Sequence, residues 1–594
     1  VTPIFVKFPA ARTLGAAVVT VLMLSGCTRA GTIDAPAATA DNRDALATQA
    51  PEYAEATSIA SPFGDYLAGM FANRQRDLSA AADYLARALE DDPDNPALLH
   101  QTFMLMATEG RMAEARRLAQ RLTELRPSHG PATLLLVLDQ FRAGELEQAG
   151  QLLDRLPDRG LSSLTAPLLG AWAESARGNW KAGMARLEDL KAVDGFSMLG
   201  NLHAALIADM ADASEEANQA YEASLSEVGS PSLRLAWLIG NFHERQGNTD
   251  KAVALYRRYL AEDPGSPVME AILAEAGQRG DTPPAPAIAT PAEGISEALF
   301  NLAGLLDQQG ATDIALVYIR YALHMRPDFT VARILVGEIL QSQNRHEAAI
   351  EAYRKVDTTS PFHYVARLRE AESLETLERD ADAIDLLERV AAEHPDRYEP
   401  LYRIGNLLRS RERFAEADEA YSRALARIDE PAKRHWTLYY FRGIALERTE
   451  RWPEAEEHLL KALELQPQQP YVMNYLAYSW VEQKSHLDRA LDMLKRAVEL
   501  RPEDGYIVDS LGWAHYRLGH YAESVDYLER AAALKPADPV INDHLGDAYW
   551  RVGRRQEARF QWHRALSLEP EPDVVSSIEG KLEDGLDAAD QPNG

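Results

Sequence analysis

Asp509–Pro536 reads DSLGWAHYRLGHYAESVDYLERAAALKP, and His544–Pro570 reads HLGDAYWRVGRRQEARFQWHRALSLEP. The two share one frame: Gly512 with Gly546, Gly519 with Gly553, Ser524 with Ala558, Leu528 with Trp562, Ala531 with Ala565 and Pro536 with Pro570, each pair 34 residues apart. The frame returns at Gly443, Ala455, Leu459, Ala462 and Pro467. Small residues stand where two helices must approach closely, and large ones fill the space between layers. Further out, Pro361, Pro395, Pro431, Pro467, Pro502, Pro536 and Pro570 follow Pro327 at intervals of 34, 34, 36, 36, 35, 34 and 34 residues. A helix-turn-helix unit of this length buries its apolar face only by stacking on neighbours. The expected fold is therefore an all-α solenoid.

Extended along the chain, the frame starts units near Pro62, Pro96, Gly130, Leu233, Ser296, Thr330, Tyr364, Tyr398, Trp436, Pro470, Gly505 and Pro539; between Ser163 and Glu227 the glycine and proline landmarks fade, leaving either two degenerate units or a helical pair of another type. Residues 277–294, GQRGDTPPAPAIATPAEG, interrupt it. Prolines there forbid a continuous helix, so the segment is expected to be a linker or hinge between an N-terminal array (62–276) and a C-terminal array (295–570). Residues 571–594 are expected to form an acidic tail.

The formal net charge is -29, and removing residues 1–26, with Lys7 and Arg12, would take it to -31. Such a surface repels phosphate backbones and argues against nucleic acid as a general partner. The single cysteine excludes an internal disulfide and multi-thiolate metal sites. Residues 1–27 read VTPIFVKFPAARTLGAAVVTVLMLSGC: basic residues, an apolar run from Leu14 to Leu24, then Ser25 and Gly26 before Cys27. That is the pattern of an export signal, too short to span a bilayer comfortably. Residues 28–61 are small, polar and proline-containing, as in a flexible tether.

No P-loop, GxGxxG, GxSxG or HExxH motif occurs, and His243-Glu244 and His346-Glu347 each lack a second histidine. The chain is therefore read as a non-enzyme without cofactor or metal. One constellation rises above this background. Tyr506, Asp509, Trp513, Tyr516 and Arg517 form a stripe down one helix, on a side other than the packing face of Val508, Leu511, Gly512 and His515. Neighbouring units give Tyr402, Asn406 and Arg409; Tyr440; Tyr471, Asn474 and Tyr478; and Asp543, Asp547, Trp550 and Arg551. Rigid aromatic area combined with forked donors suits a partner-binding groove, although packing between repeats uses the same residue types.

The period and frame resemble the tetratricopeptide repeat (TPR) between about Pro62 and Pro570, in which the stripe would line a concave surface. LSGC (Leu24–Cys27) is similar to the lipobox of bacterial lipoproteins, which implies acylation of Cys27; Thr28, where an inner-membrane retention aspartate would stand, implies the outer membrane. NYLAYSWVE (Asn474–Glu482), DSLGWAHYRLG (Asp509–Gly519) and HLGDAYWRVGRRQEA (His544–Ala558) resemble repeats of TPR outer-membrane lipoproteins that act as adaptors of periplasmic carboxyl-terminal processing proteases. The resemblance implies a lipid-anchored, periplasm-facing scaffold that binds envelope proteins or their peptide segments and recruits such a protease to cell-wall hydrolases. The alternative is an assembly or export factor for outer-membrane proteins, pili or polysaccharide.

Overall fold

The structure, a computed structural model, describes residues 61–586 apart from Asp158 and Asp281. Cys27, the leader and the tether to residue 60 lie outside the described residues. The expected units appear as helix pairs, such as Pro96–Thr108 with Met112–Leu125 and Gly505–Arg517 with Tyr521–Leu534. Proline opens many first helices because its missing N–H is one that a first turn leaves unbonded, and the preceding side chain caps the turn. Asn95 accepts from Ala97 and Leu98, Thr290 from Glu293, and Asp538 from Ile541. Each pair turns through a left-handed residue. Gly519 and Gly553 take it at φ 78° and 84°, and Glu412 and Glu450 adopt it without glycine at φ 59° and 61°.

The degenerate stretch also holds two units: Ser162–Ala176 with the broken helix Trp180–Arg186 and Glu188–Lys191, then Ser197–Met210 with Ser214–Ser226. The chain divides into two compact units, one ending at Arg379 and one starting at Asp380.

This division corrects the boundary expected at 277–294. The helix Pro291–Gln308 packs against Ser162–Ala176 and Ser197–Met210, and Thr312–Met325 packs against Pro96–Thr108 and Gly130–Ala143. All four receiving elements are first helices of repeats. The inner face of the first unit is thus filled by the chain itself. Gly294 permits the approach, since a Cβ there would stand 2.3 Å from the Trp172 ring. The docking is polar as well as apolar. Tyr321 donates to the Pro131 carbonyl (3.0 Å), Arg320 Nε to Thr108 O (3.1 Å) and Arg345 to Glu109 (2.6 Å), while His324 meets Asp139 at 3.0 Å.

The prolines do break the helix after Arg279, but the segment is no free hinge: Ala287 and Ile288 are buried, and Asn241 bonds its backbone. The region expected as an acidic tail carries the helix Pro572–Asp584, which packs on Arg555–Ser567 with Ile578 fully buried. An end repeat needs something to cover its apolar face, and this helix supplies it.

Candidate functional site

The face that many of the first helices present is set by a glycine. A Cβ on Gly240, Gly405 or Gly546 would come within 2.2 to 2.5 Å of Tyr256, Tyr421 or Trp562 of the second helix. In these helices the crossing point is therefore fixed, and so is the direction of the residues counted from the glycine.

In the second unit the expected stripe splits into an open part and a packed part. In the open part, the Tyr402 ring is stacked with Phe441 (6.4 Å, 22°), and Tyr440 touches Phe441 (5.2 Å) and Tyr475 (6.0 Å). Asn406 accepts from the Tyr421 hydroxyl (2.9 Å). The Arg409 guanidinium lies 4.3 Å over Phe441, with its Nε buried and lacking a hydrogen-bond partner. Asn474 Oδ1 is likewise buried without a partner. Burial raises the Tyr440 phenol to about 12, so it remains a neutral donor at physiological pH. Burial, with Glu482 and Asp509 nearby, raises Tyr478 too. Tyr471 is 44% exposed and Tyr506 is 53% exposed.

The packed part begins at Asp509, correcting the expectation of one continuous recognition stripe. Asp509 is buried, with both oxygens 3.1 Å from His544 Nδ1 of the next repeat. Trp513 is stacked with His544 (4.0 Å) and Tyr516 (4.7 Å) and donates to Glu482 (2.6 Å), which Arg517 approaches at 3.4 Å. Tyr516 is buried and accepts from Arg551 (3.2 Å). Lys581 of the terminal helix bonds Asp543 (2.8 Å) and Asp547 (2.9 Å), and Trp562 also donates to Asp547 (2.9 Å). Trp550 touches Trp562 (5.3 Å) and lies under Arg555 (4.7 Å). Adjacent first helices approach so closely that residues turned toward the inner face meet their counterparts in the next repeat.

Ionisation follows this packing. Burial alone would lower His544, but Asp509, with Asp543 and Asp547 behind it, raises it above the usual histidine value. Burial raises Asp547 above the usual carboxylate range, Lys581 opposing and Asp543 adding to the shift.

The first unit holds a cavity that the sequence reading missed. Arg234, Trp237, Asn241 and Glu244 occupy the register of Tyr506, Asp509, Trp513 and Tyr516, counted from Gly240 and Gly512 respectively. They line a cavity of about 280 Å³ together with Arg279, Pro284, Arg326 and Phe329. Carrying the register back to the unit from Leu233 would have found them. Arg234 is buried, makes two bonds to Glu297 (3.1 and 2.5 Å) and lies 4.6 Å from the Trp237 ring centre; Arg279 pairs with Glu244. These charges compensate one another, leaving a surface suited to holding chain. Among the described residues no cluster of three or more potential ligands could hold a metal ion, and no helix is long and apolar enough to cross a membrane.

Residues 209–267, 300–364, 402–470 and 482–539 match the family model of the tetratricopeptide repeat. No curated protein matches the chain. Among solved structures it is similar to the APC/C Cut9–Hcn1 hetero-tetramer, at 16% identity over 89% of this chain and 97% of that one, with a TM-score of 0.36. It is also similar to YrrB, described as a TPR protein with an unusual peptide-binding site (22% identity, 33% and 97% covered, TM-score 0.27), and to yeast Tom70 (12%, 88% and 95%, 0.28). Over the four matched stretches the chain is built of tetratricopeptide repeats, stacked as an all-helical solenoid.

Proposed function

We propose that the chain is a protein-binding scaffold of the bacterial envelope, held by a lipid on Cys27, whose second unit receives a partner segment along the open part of its first-helix stripe. The observation that carries this reading is a contrast between the two units. The inner face of the first unit is occupied by the helices Pro291–Gln308 and Thr312–Met325, whereas the helices of the second pack on their neighbours in sequence, and among its aromatic rings Arg409 Nε and Asn474 Oδ1 lie buried without a hydrogen-bond partner. A buried polar atom left without a partner costs about 1–3 kcal/mol, which a bound segment would recover. In the finer form of the reading the partner is a periplasmic carboxyl-terminal processing protease, brought to cell-wall hydrolases at the outer membrane; the resemblance of Asn474–Glu482 and Asp509–Gly519 to such adaptors supports it.

A photo-crosslinking residue placed at Tyr440, and for comparison at the exposed Phe560, tests the site in intact cells. Crosslinks to a discrete envelope protein from position 440 and none from 560 are expected; indistinguishable patterns would refute it. Labelling with a palmitate analogue, lost in Cys27→Ala, tests the anchor.

A further inference from the structure

Phe63, Leu67 and Phe71 recur every fourth residue on the first described helix, Pro62–Arg74, and are 71%, 51% and 63% exposed, with Tyr66 beside them at 38%. At about 100° per residue these four, with Met70 and Arg74, share one arc of about 140°. The opposite face carries the buried residues Gly69 and Ala72 and is held by the second helix of the repeat, Leu78–Asp91: a Cβ on Gly69 would stand 2.5 Å from Leu85. Asp65, the only acidic residue of the helix, is turned to that side and accepts from Arg87 (3.0 Å). The exposed arc is therefore apolar and aromatic, with one charge, the Arg74 cation, at its C-terminal end.

Later repeats cover this arc. Counted from the crossing glycine, Leu67 and Phe71 take the register of Leu238 and Phe242 at Gly240 and of Leu335 and Ile339 at Gly337, all four of them buried. At Pro62–Arg74 no described element precedes, and the face stays open. Among the described residues no other helix carries more than one exposed large apolar side chain, so the concentration belongs to this helix and not to the surface at large. Residues 1–60 lead straight into it: Ser61, its N-cap, stands 34 residues after Cys27. The large apolar residues of the intervening stretch are Ile33, Leu46, Tyr53 and Ile59, none within four positions of another, so they make no stripe to match the arc.

We propose that Pro62–Arg74 rests in the surface of a lipid bilayer, with Phe63, Leu67 and Phe71 entering the acyl boundary and Tyr66 and Arg74 at the headgroups. An apolar arc rich in aromatic rings, flanked by a cation and free of carboxylates, suits the plane of a membrane interface, and 13 residues are too few to cross. Nothing on the arc repels phosphate headgroups, whereas the chain as a whole, at -29, does. The inference extends the envelope reading but does not rest on the acyl chain: it concerns the first helix, and Cys27 is replaced in its test.

The test is spin-label accessibility in the full chain on vesicles of phosphatidylethanolamine and phosphatidylglycerol. Cys27 is the only cysteine, so Cys27→Ser combined with Leu67→Cys, Phe71→Cys or, for comparison, the exposed Phe560→Cys gives one labelled position at a time. Adding vesicles is expected to cut collisions of the labels at 67 and 71 with an aqueous nickel complex and to raise those with dissolved oxygen, leaving the label at 560 unchanged. Phe71→Asp in the chain labelled at 67 should abolish that shift, and the melting midpoint should hold because Phe71 is exposed. Labels at 67 and 71 that stay in water on vesicle-bound chain, as they would if the apolar run of residues 14–24 alone held it, would overturn the proposal. So would shielding from nickel before vesicles are added: the arc would then be covered by another part of the chain or, where the shielding grows with protein concentration, by a second copy. Palmitate labelling of the unsubstituted chain reports the Cys27 anchor independently.

Discussion

At the scale of single residues, burial converts a stripe that looks like a binding surface into a set of ionisation and packing constraints. Glu338 is pushed up to about 7 by burial, only partly relieved by Arg369 and aggravated by Asp307 and Glu372. With a folded value above the ordinary one, the fold binds the extra proton between about pH 4.5 and 7, so stability falls as pH rises through that window. Glu338→Gln is expected to stabilise the first unit by on the order of 1–2 kcal/mol at pH 8 and by little at pH 4.5, as read by urea denaturation. His544 obeys the same sign: its raised value gives a stabilisation complete below the ordinary histidine pKa and lost as pH rises through the folded one. The melting of the second unit should therefore fall between pH 6 and pH 9, and His544→Gln should flatten that dependence. A wild-type midpoint indifferent to pH would contradict the buried Asp509–His544 pair. Trp513→Ala removes a ring stacked on two neighbours and should cost the second unit about 2 kcal/mol or more of stability. The spacing placed Tyr506 and Trp513 on one stripe, but left open which of them would be stacked and which exposed, because that depends on the next repeat.

At the scale of elements, two segments differ from their sequence reading for one reason: a neighbour satisfies what composition leaves unsatisfied. The proline-rich stretch cannot form a helix, yet Asn241 bonds its main chain and Ala287 and Ile288 sink into the unit. Native protein should resist limited proteolysis within residues 283–290, while Asn241→Ala should be cut there first; early cutting of the wild type would count against the clamp. The terminal helix Pro572–Asp584 covers the last repeat through Ile578 and brings Lys581 to Asp543 and Asp547. Truncation after Pro570 removes at once the cover of the last repeat and the cation that holds Asp543 and Asp547. A lowered melting midpoint in the truncated chain, steeper at alkaline pH, is the expected outcome.

At the scale of the whole molecule, the first unit is one fold that continues past its proline-rich segment, because the helices on the far side fill the inner face of the repeats before it. A fragment of residues 61–276 should expose that face, bind hydrophobic dyes and aggregate, whereas a fragment of residues 61–379 should stay soluble; equal behaviour of the two would restore the hinge reading. The sequence by itself left open the registry of the stretch between Ser163 and Glu227, but determined the helix-turn-helix period and where most units start. Those follow from local rules: a glycine where helices cross, a left-handed turn, a proline that opens or closes a helix. Only the tertiary structure decided that one inner face is filled by the chain's own helices, that the proline-rich strand is clamped, and that Asp509, Asp543 and Asp547 are buried against His544 and Lys581. These depend on contacts between residues far apart in the chain, and a repeat pattern carries no record of which distant helix comes to lie in its groove.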